Sequence, residues 1–197
     1  LLPRLRSWHR ARVREGEVEP WLYEDTWVEC HVQGWSPQEI GKHWLVVALD
    51  GTEILSRDLQ NWLKEHRITF DVLDPTGDRA RWRTAIEACK ESVSGLVCLV
   101  GDDSERGLAS SLMLAQALAD TSLPIPLWLV THGAMALDDT DWVHPAMGAC
   151  WGLGRTMGWE HPTGWGALVD VPKDFQEHDI AILGRTLCSH ISSGELA

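Results

Sequence analysis

The 197-residue chain has few of the residues that mark an active enzyme. It contains one tyrosine, and its five cysteines are scattered without a CxxC pair. No GxSxG elbow, HExxH pair or other metal-ligand spacing is present. No segment approaches the ~18 consecutive apolar residues that a membrane helix requires. These absences predict no catalytic residue, no metal site and no membrane partner, and unpaired cysteines are typical of a reducing, cytoplasmic compartment.

The charge is strongly negative and unevenly placed. The net charge of −12 argues against nucleic acid as the main partner, because phosphate binding needs a basic surface. Residues 1–14 nevertheless hold five arginines and no acid. This stretch could be a nucleic-acid arm, but a solvated interdomain linker helix over residues 1–20 fits better. The start without Met or signal pattern indicates a piece of a longer protein, and we expect the folded part to span residues 21–197.

Strand-like and helix-like segments alternate along the chain. Helical periodicity places four sets of side chains on common faces, and a further helix is expected over about 179–190. Residues 21–28 resemble an additional edge strand. The alternating order predicts an α/β fold, with a mostly parallel sheet of five or more strands and helices on both faces. The expected strands are the apolar runs Trp44–Leu49, Ile68–Val72, Leu96–Val100, Leu127–Thr131 and Ala167–Val171; the helix faces are Leu59/Trp62/Leu63/His66, Trp82/Ile86/Cys89/Val93, Leu108/Leu112/Ala115/Ala119 and Ala146/Cys150/Leu153/Met157.

No dinucleotide-binding turn follows the first strand. Such a turn needs several glycines so that the backbone can approach a pyrophosphate. Residues 50–53 read Asp-Gly-Thr-Glu, with one glycine and two acids. The glycines at 152, 154 and 158 lie inside a predicted helix, where small residues allow close packing on the sheet. A reductase Tyr–Lys pair is also missing, since Tyr23 is followed four residues later by Trp27. We therefore expect no cofactor site in this chain.

One signalling alternative has to be weighed. Asp50, Asp102 or Asp103, Thr131 and Lys173 lie at or just after the ends of predicted strands, as the acids, Thr and Lys of a phosphorylated receiver domain do. In that interpretation Asp102 or Asp103 accepts the phosphoryl group. The first strand lacks the second acid of a Mg²⁺ pocket, and the 131–173 spacing is too long for one crossover helix, so this alternative is weaker.

Three stretches resemble the ketoreductase regions of modular polyketide synthases. Residues 21–27 (WLYEDTW) are similar to the family's LYxxxW opening, and residues 126–134 (PLWLVTHGA) to its PLWLVTRGA strand. Residues 149–155 (ACWGLGR) and 160–172 (EHPTGWGALVDVP) together resemble VWGLGRxxxxEHPxxWGGLVDLP. The resemblance extends over about residues 21–195.

The resemblance implies the first of two ketoreductase halves, a truncated Rossmann-like three-layer subdomain without a functional nucleotide site. The second half of that family binds NADPH and reduces the β-keto group of an acyl-carrier-protein-bound polyketide. None of the family's catalytic residues maps onto this chain. Its expected partners are that catalytic half and neighbouring acyltransferase, dehydratase, methyltransferase or enoylreductase domains. A pseudo-ketoreductase, whose second half is also inactive, remains a variant of this interpretation.

The twelve tryptophans suggest contact surfaces as well as a core. Aromatic residues are enriched at the centres of interfaces. The expected interface candidates are the four tryptophans that precede the alternating strands and helices: Trp8, Trp21, Trp27 and Trp35.

Overall fold

The computed structural model describes residues 27–29, 43–89, 93–101, 104–137, 141, 143–189 and 194–196. The chain divides into two compact units, Leu1–Cys30 and His31–Ala197. All of the helices and strands described below belong to the second unit. The predicted strand over 21–28 and the linker helix over 1–20 lie outside the described residues, apart from Trp27 and Val28, which are not in a strand.

The described part of the second unit is a six-stranded, parallel α/β sheet with the order β2-β1-β3-β4-β5-β6. This confirms the predicted fold class. A 3₁₀ turn, Pro162–Gly164, precedes β5. The elements in chain order are β1 (His43–Ala48), α1 (Glu53–Glu65), β2 (Thr69–Leu73), α2 (Arg79–Ala88), β3 (Val93–Leu99), α3 (Ser104–Thr121), β4 (Leu127–His132), α4 (Pro145–Glu160), β5 (Trp165–Val171), α5 (Glu177–Cys188) and β6 (Glu195–Leu196).

The helices cover both faces of the sheet and produce two cores. One core packs α2, α3 and α4 on one face, around Trp82, Leu114 and Trp151. The other packs α1 and α5 on the opposite face, around Leu59, Trp62 and Leu183. Burial of apolar side chains on both faces explains why the central strands read as continuous apolar runs.

Several helix and strand details differ from expectation. Val93 begins β3 and is not part of the α2 face. Leu112 is 41% exposed, and Ala119 is also exposed, so neither lies on the core-facing side of α3. On α4 the buried residues are Met147, Cys150, Trp151 and Gly154, only one of which belongs to the predicted set. The strand β2 is mostly exposed because it is an edge strand with one neighbour.

Close approaches of glycine fix two of the sheet tryptophans. A Cβ atom built on Gly95 would lie 2.3 Å from the Trp44 ring, and one on Gly166 would lie 2.3 Å from the Trp128 ring. Each indole therefore occupies the space that a side chain of the neighbouring strand would need. The two rings meet edge to face, with their centroids 6.1 Å apart.

Candidate functional site

The place to look for a ligand is the carboxyl edge of the sheet between β1 and β3. From β1 the chain passes through α1 on one face of the sheet to β2. From β2 it returns through α2 on the opposite face to β3, on the other side of β1. Open α/β sheets bind ligands at such a switch point. A cavity of about 250 Å³ opens there, and it is lined by Leu49, Asp50, Pro75, Thr76, Gly101, Arg106, Gly107, Ala109, Ser110 and Met113.

The turn between β1 and α1 uses its hydrogen-bond donors internally. Gly51, at φ +91°, donates its N–H to the Glu53 carboxylate at 3.2 Å. The Thr52 hydroxyl donates to the Leu49 carbonyl at 2.6 Å. Backbone hydrogen bonds, first from Glu53's own N–H and then from Gly51, hold the pKa of Glu53 below its ordinary value. A charged carboxylate therefore covers the start of α1, where a pyrophosphate would lie in a nucleotide-binding member of this fold class.

The turns after β1 and β3 lie directly against each other. A Cβ atom on Gly101 would lie 1.6 Å from the Asp50 carbonyl oxygen, so only glycine fits at position 101. The backbone of one turn thus fills space beside the other.

The lining of the cavity carries one acid and one base, and a further acid lies nearby in sequence. Asp74 lies two residues before Thr76, which lines the cavity. The Asp74 carboxylate accepts hydrogen bonds from the Thr76 hydroxyl at 2.7 Å and from the Thr76 N–H at 2.9 Å. These two bonds hold the pKa of Asp74 below its ordinary value. Asp50 is exposed, and Arg106 is the cationic side chain among the lining residues. Asp102 and Asp103 lie outside the described residues.

A second polar cluster occurs where β4 and β5 end, and it is buried. Thr131 is fully buried, donates its hydroxyl to Asp170 Oδ1 at 2.7 Å, and accepts the indole N–H of Trp151 at 2.8 Å. Asp170 also accepts the backbone N–H groups of Ala134 and Met135 at 2.8 and 3.0 Å. Burial raises the pKa of Asp170 despite these hydrogen bonds. The cluster fastens the loop after β4 to the end of the sheet.

This buried cluster bears directly on the receiver alternative. A receiver threonine must turn its hydroxyl toward a phosphorylated aspartate, whereas the Thr131 hydroxyl is enclosed between Asp170 and Trp151. The sequence did not single out Asp170 as a site residue. The signal was present, because Thr131, Trp151 and Asp170 each lie in one of the stretches that carry the family resemblance.

The predicted interface tryptophans are only partly described. Trp27 is 36% exposed, while Trp8, Trp21 and Trp35 lie outside the described residues. Among the residues that the structure describes, no three His, Cys, Asp or Glu side chains are grouped as metal ligands would be. No helix in the same part of the chain is long and apolar enough to cross a membrane.

The strand order and the site at the switch point define a Rossmann-like α/β domain. Comparison with known proteins is more specific, since residues 35–195 match the family model described as polyketide synthase extender module SpnB, Rossmann fold domain. The chain belongs to this family of polyketide synthase ketoreductase-region domains.

Individual relatives agree. The chain is 35% identical over 202 residues to polyketide synthase GfsB of Streptomyces halstedii, a match that covers 88% of the chain and 4% of GfsB. It is 33% identical over 219 residues to polyketide synthase GfsA of the same organism, which covers 99% of the chain and 3% of GfsA. A solved C2-type ketoreductase from a modular polyketide synthase matches with a TM-score of 0.70 at 29% identity, covering 79% of this chain and 38% of that chain. The chain thus spans only a small part of these synthases.

Proposed function

We propose that this chain is the structural half of a polyketide synthase ketoreductase region. In this role it carries no chemistry of its own and is not an enzyme by itself. It stabilises a catalytic half that binds NADPH and reduces the β-keto group of a polyketide held on an acyl carrier protein. Neighbouring synthase domains are its further partners. The alternative within the same class is a pseudo-ketoreductase, in which the second half is inactive and the role of both is architectural.

One observation supports the structural role above the others. Glu53 lies at the start of α1 and takes the Gly51 N–H that a phosphate would need. Anions are favoured at helix N-termini, and here the protein's own carboxylate is that anion. A dinucleotide would have to displace a charged side chain and then lie beside exposed Asp50. The sequence supports the same conclusion, because Tyr23 has no lysine four residues on.

Packing is a second observation that supports the structural role, because helices cover both faces of the sheet and bury two hydrophobic cores. The end of β4, the middle of α4 and the end of β5 are joined by the buried Thr131–Trp151–Asp170 cluster. The residues of this cluster come from the stretches that carry the family resemblance. At these three positions the recognisable sequence therefore serves packing and internal hydrogen bonding.

The test is calorimetric titration of NADPH into the 197-residue chain alone and into the chain coproduced with the catalytic half of its ketoreductase region. We expect binding by the pair and none by the chain alone. Micromolar binding by the chain alone would contradict the structural role. The Glu53→Gln variant of the chain alone is a second control, and we expect no binding by it either, because the turn still lacks the glycines of a dinucleotide site.

The same preparations distinguish a ketoreductase region with an active catalytic half from a pseudo-ketoreductase. A coproduced pair that reduces a model β-keto thioester with NADPH contains an active catalytic half. A pair that associates but neither binds NADPH nor reduces the substrate is the pseudo-ketoreductase. The receiver alternative receives no support from the comparisons, and incubation with acetyl phosphate and Mg²⁺ should leave the mass of the chain unchanged.

A further inference from the structure

We infer that Thr69, at the start of the edge strand β2, is a site of covalent acylation. Its hydroxyl is activated by His43 and Asp71 and takes an acyl group from a thioester. The three side chains are called the Thr69–His43–Asp71 triad. The reaction consumes the hydroxyl and leaves one acyl group on the chain, so it is a modification without turnover. It goes beyond the proposed function and does not depend on it.

The pairing of β1 with β2 brings the triad together. In this parallel pair His43 of β1 lies opposite Thr69 of β2. Side chains two residues apart on a strand point to the same face of the sheet, so Asp71 lies on the same face as Thr69. The imidazole reaches both partners: His43 Nδ1 lies 3.0 Å from Thr69 Oγ1, and His43 Nε2 lies 3.1 Å from Asp71 Oδ2. The register of two strands therefore sets the geometry.

The chemistry of the three groups decides which of them donates. An ionised carboxylate only accepts hydrogen bonds, so His43 Nε2 carries the proton in its bond to Asp71. In the neutral imidazole the other nitrogen, Nδ1, then carries a lone pair and accepts. The Thr69 hydroxyl is therefore the donor in its bond to Nδ1. A hydroxyl that donates to an imidazole, which is itself oriented by a carboxylate, is the arrangement that activates serine and threonine nucleophiles.

The nucleophile of the triad is accessible, whereas its base is shielded. Thr69 is exposed, but the side chain of His43 is only 8% exposed. In the described part of the sheet β2 has β1 as its single neighbour, so no further strand covers Thr69. A small electrophile can therefore approach Thr69 from solvent while the imidazole stays held between the two strands.

The surroundings of Thr69 favour an uncharged acyl donor over a phosphorylated one. The Asp71 side chain is 64% exposed, and the chain as a whole carries a net charge of −12. Both charges repel an anionic phosphoryl donor. The carbonyl carbon of a thioester is an electrophile without charge, and its thiolate is a good leaving group. Acyl thioesters are therefore the donor class that fits this hydroxyl.

The reaction is an acyl transfer from sulfur to oxygen. The Thr69 oxygen forms a bond to the carbonyl carbon while its proton passes to His43 Nδ1, and the carbon–sulfur bond then breaks. The imidazolium returns this proton to the departing thiolate. The products are an acyl ester on Thr69 and a free thiol, and His43 is neutral again. Asp71 stabilises the imidazolium that forms between the two proton transfers.

The test is incubation of the 197-residue chain with the acetyl thioester of N-acetylcysteamine, followed by mass spectrometry of its peptides. We expect one acetyl group on Thr69. Hydroxylamine should remove it, because hydroxylamine cleaves esters and leaves the amides that form on lysine side chains. Exposed Thr76 is the internal control, since its hydroxyl donates directly to the Asp74 carboxylate at 2.7 Å and not to an imidazole. We expect Thr76 to stay unmodified.

Variants assign the part that each side chain plays. Thr69→Val removes the hydroxyl and should abolish the ester, whereas Thr69→Ser should keep it. In Asp71→Asn the new amide can donate to His43 Nε2, which places the imidazole proton on Nδ1 and removes the acceptor of the Thr69 hydroxyl. We expect the rate of ester formation to fall by about tenfold or more, as for the loss of a general base. Asp174→Asn, the same change at an exposed aspartate after β5, is the matched control and should leave the rate unchanged.

Every outcome bears on the acylation site. If Thr69 carries no ester, or if Thr76 is acylated as fast as Thr69, the inference is overturned. If Asp71→Asn reacts as fast as Asp174→Asn, the triad does not activate the hydroxyl and the inference is overturned as well. Unchanged melting temperatures of the variants show that a lower rate is not loss of folding. The proposed function is tested separately by NADPH binding, so the two can fail independently.

Discussion

The indole N–H of Trp151, on α4, donates to the hydroxyl of Thr131, at the end of β4, across 2.8 Å. The Thr131 hydroxyl in turn donates a hydrogen bond to Asp170 Oδ1 on β5. Three elements that are separate in sequence are thus joined by two hydrogen bonds inside the core. A buried polar group is costly without a partner, so the Trp151 indole and the Thr131 hydroxyl depend on these two hydrogen bonds.

The first prediction concerns Trp151, which is 2% exposed. Trp151→Ala removes a large buried ring and leaves the Thr131 hydroxyl without its donor, so it should lower the free energy of unfolding by about 3–5 kcal/mol. Trp159→Ala is the control on the same helix, and it should change the free energy by less than about 0.5 kcal/mol because Trp159 is exposed. Urea unfolding of both variants measures the difference. A loss below about 1 kcal/mol for Trp151→Ala would show that the cluster is not part of the stable core.

The second prediction concerns the pH dependence contributed by Asp170. Its pKa is raised in the folded chain because burial disfavours the carboxylate. The folded state therefore holds this proton more tightly than the unfolded state, and the contribution of Asp170 to stability is greatest below the unfolded pKa of about 3.9 and falls as the pH rises through the folded value.

Asp170→Asn removes this titration while keeping the shape of the side chain. The variant should be less stable than the parent by about 1–3 kcal/mol, because an amide cannot accept from Thr131, Ala134 and Met135 together. The deficit should shrink as the pH is raised above the unfolded pKa of about 3.9, since only the parent loses the contribution of Asp170. Chemical unfolding at several pH values measures it. A deficit that grows with pH would show that hydrogen bonding outweighs burial at this carboxylate.

The third prediction concerns the attachment of β6. Arg155 on α4 holds Glu195 of β6, and Leu168 of β5 donates its N–H to the Gly194 carbonyl at 3.0 Å. Arg155→Ala should cost no more than about 1 kcal/mol globally, because the pair is exposed. The Leu168 amide should exchange with deuterium faster, since β6 is released from the edge. Arg57→Ala, which breaks an exposed pair with Asp58 on α1, is the control and should leave this amide unaffected.

The sequence was sufficient for the central sheet because β1, β3, β4 and β5 are buried on both faces and therefore appear as apolar runs. The sequence did not predict β6, because a strand of two residues, Glu195–Leu196, is too short to show a periodic pattern. The predicted face of α3 failed for a physical reason. Residues 107–119 are uncharged on every side of the helix, so a period of 3.6 does not choose between the side facing the sheet and the side carrying Leu112. The small number of glycines after β1 predicted a turn unlike that of a dinucleotide site. The hydrogen bond from the Gly51 N–H to the Glu53 carboxylate could not be predicted, because it depends on the side-chain rotamer of Glu53.

The last prediction compares two glycines that the structure places in opposite surroundings. Gly95 lies under the Trp44 ring, and a methyl group there would meet it at 2.3 Å, so Gly95→Ala should lower the free energy of unfolding by about 1–3 kcal/mol through overpacking. Gly152 is exposed in a helix, so Gly152→Ala should raise the free energy of unfolding by about 0.5–1 kcal/mol.

Both substitutions make the same chemical change and remove similar backbone freedom from the unfolded chain. Changes of opposite sign in the free energy of unfolding therefore report the difference in packing around Gly95 and Gly152. Trp44→Leu on the Gly95→Ala background makes the test specific. If the indole is the source of the clash, alanine at position 95 costs less beside leucine than beside tryptophan, and the two changes are non-additive. Additive costs would mean that Gly95 is required by the backbone of β3 and not by the ring of Trp44.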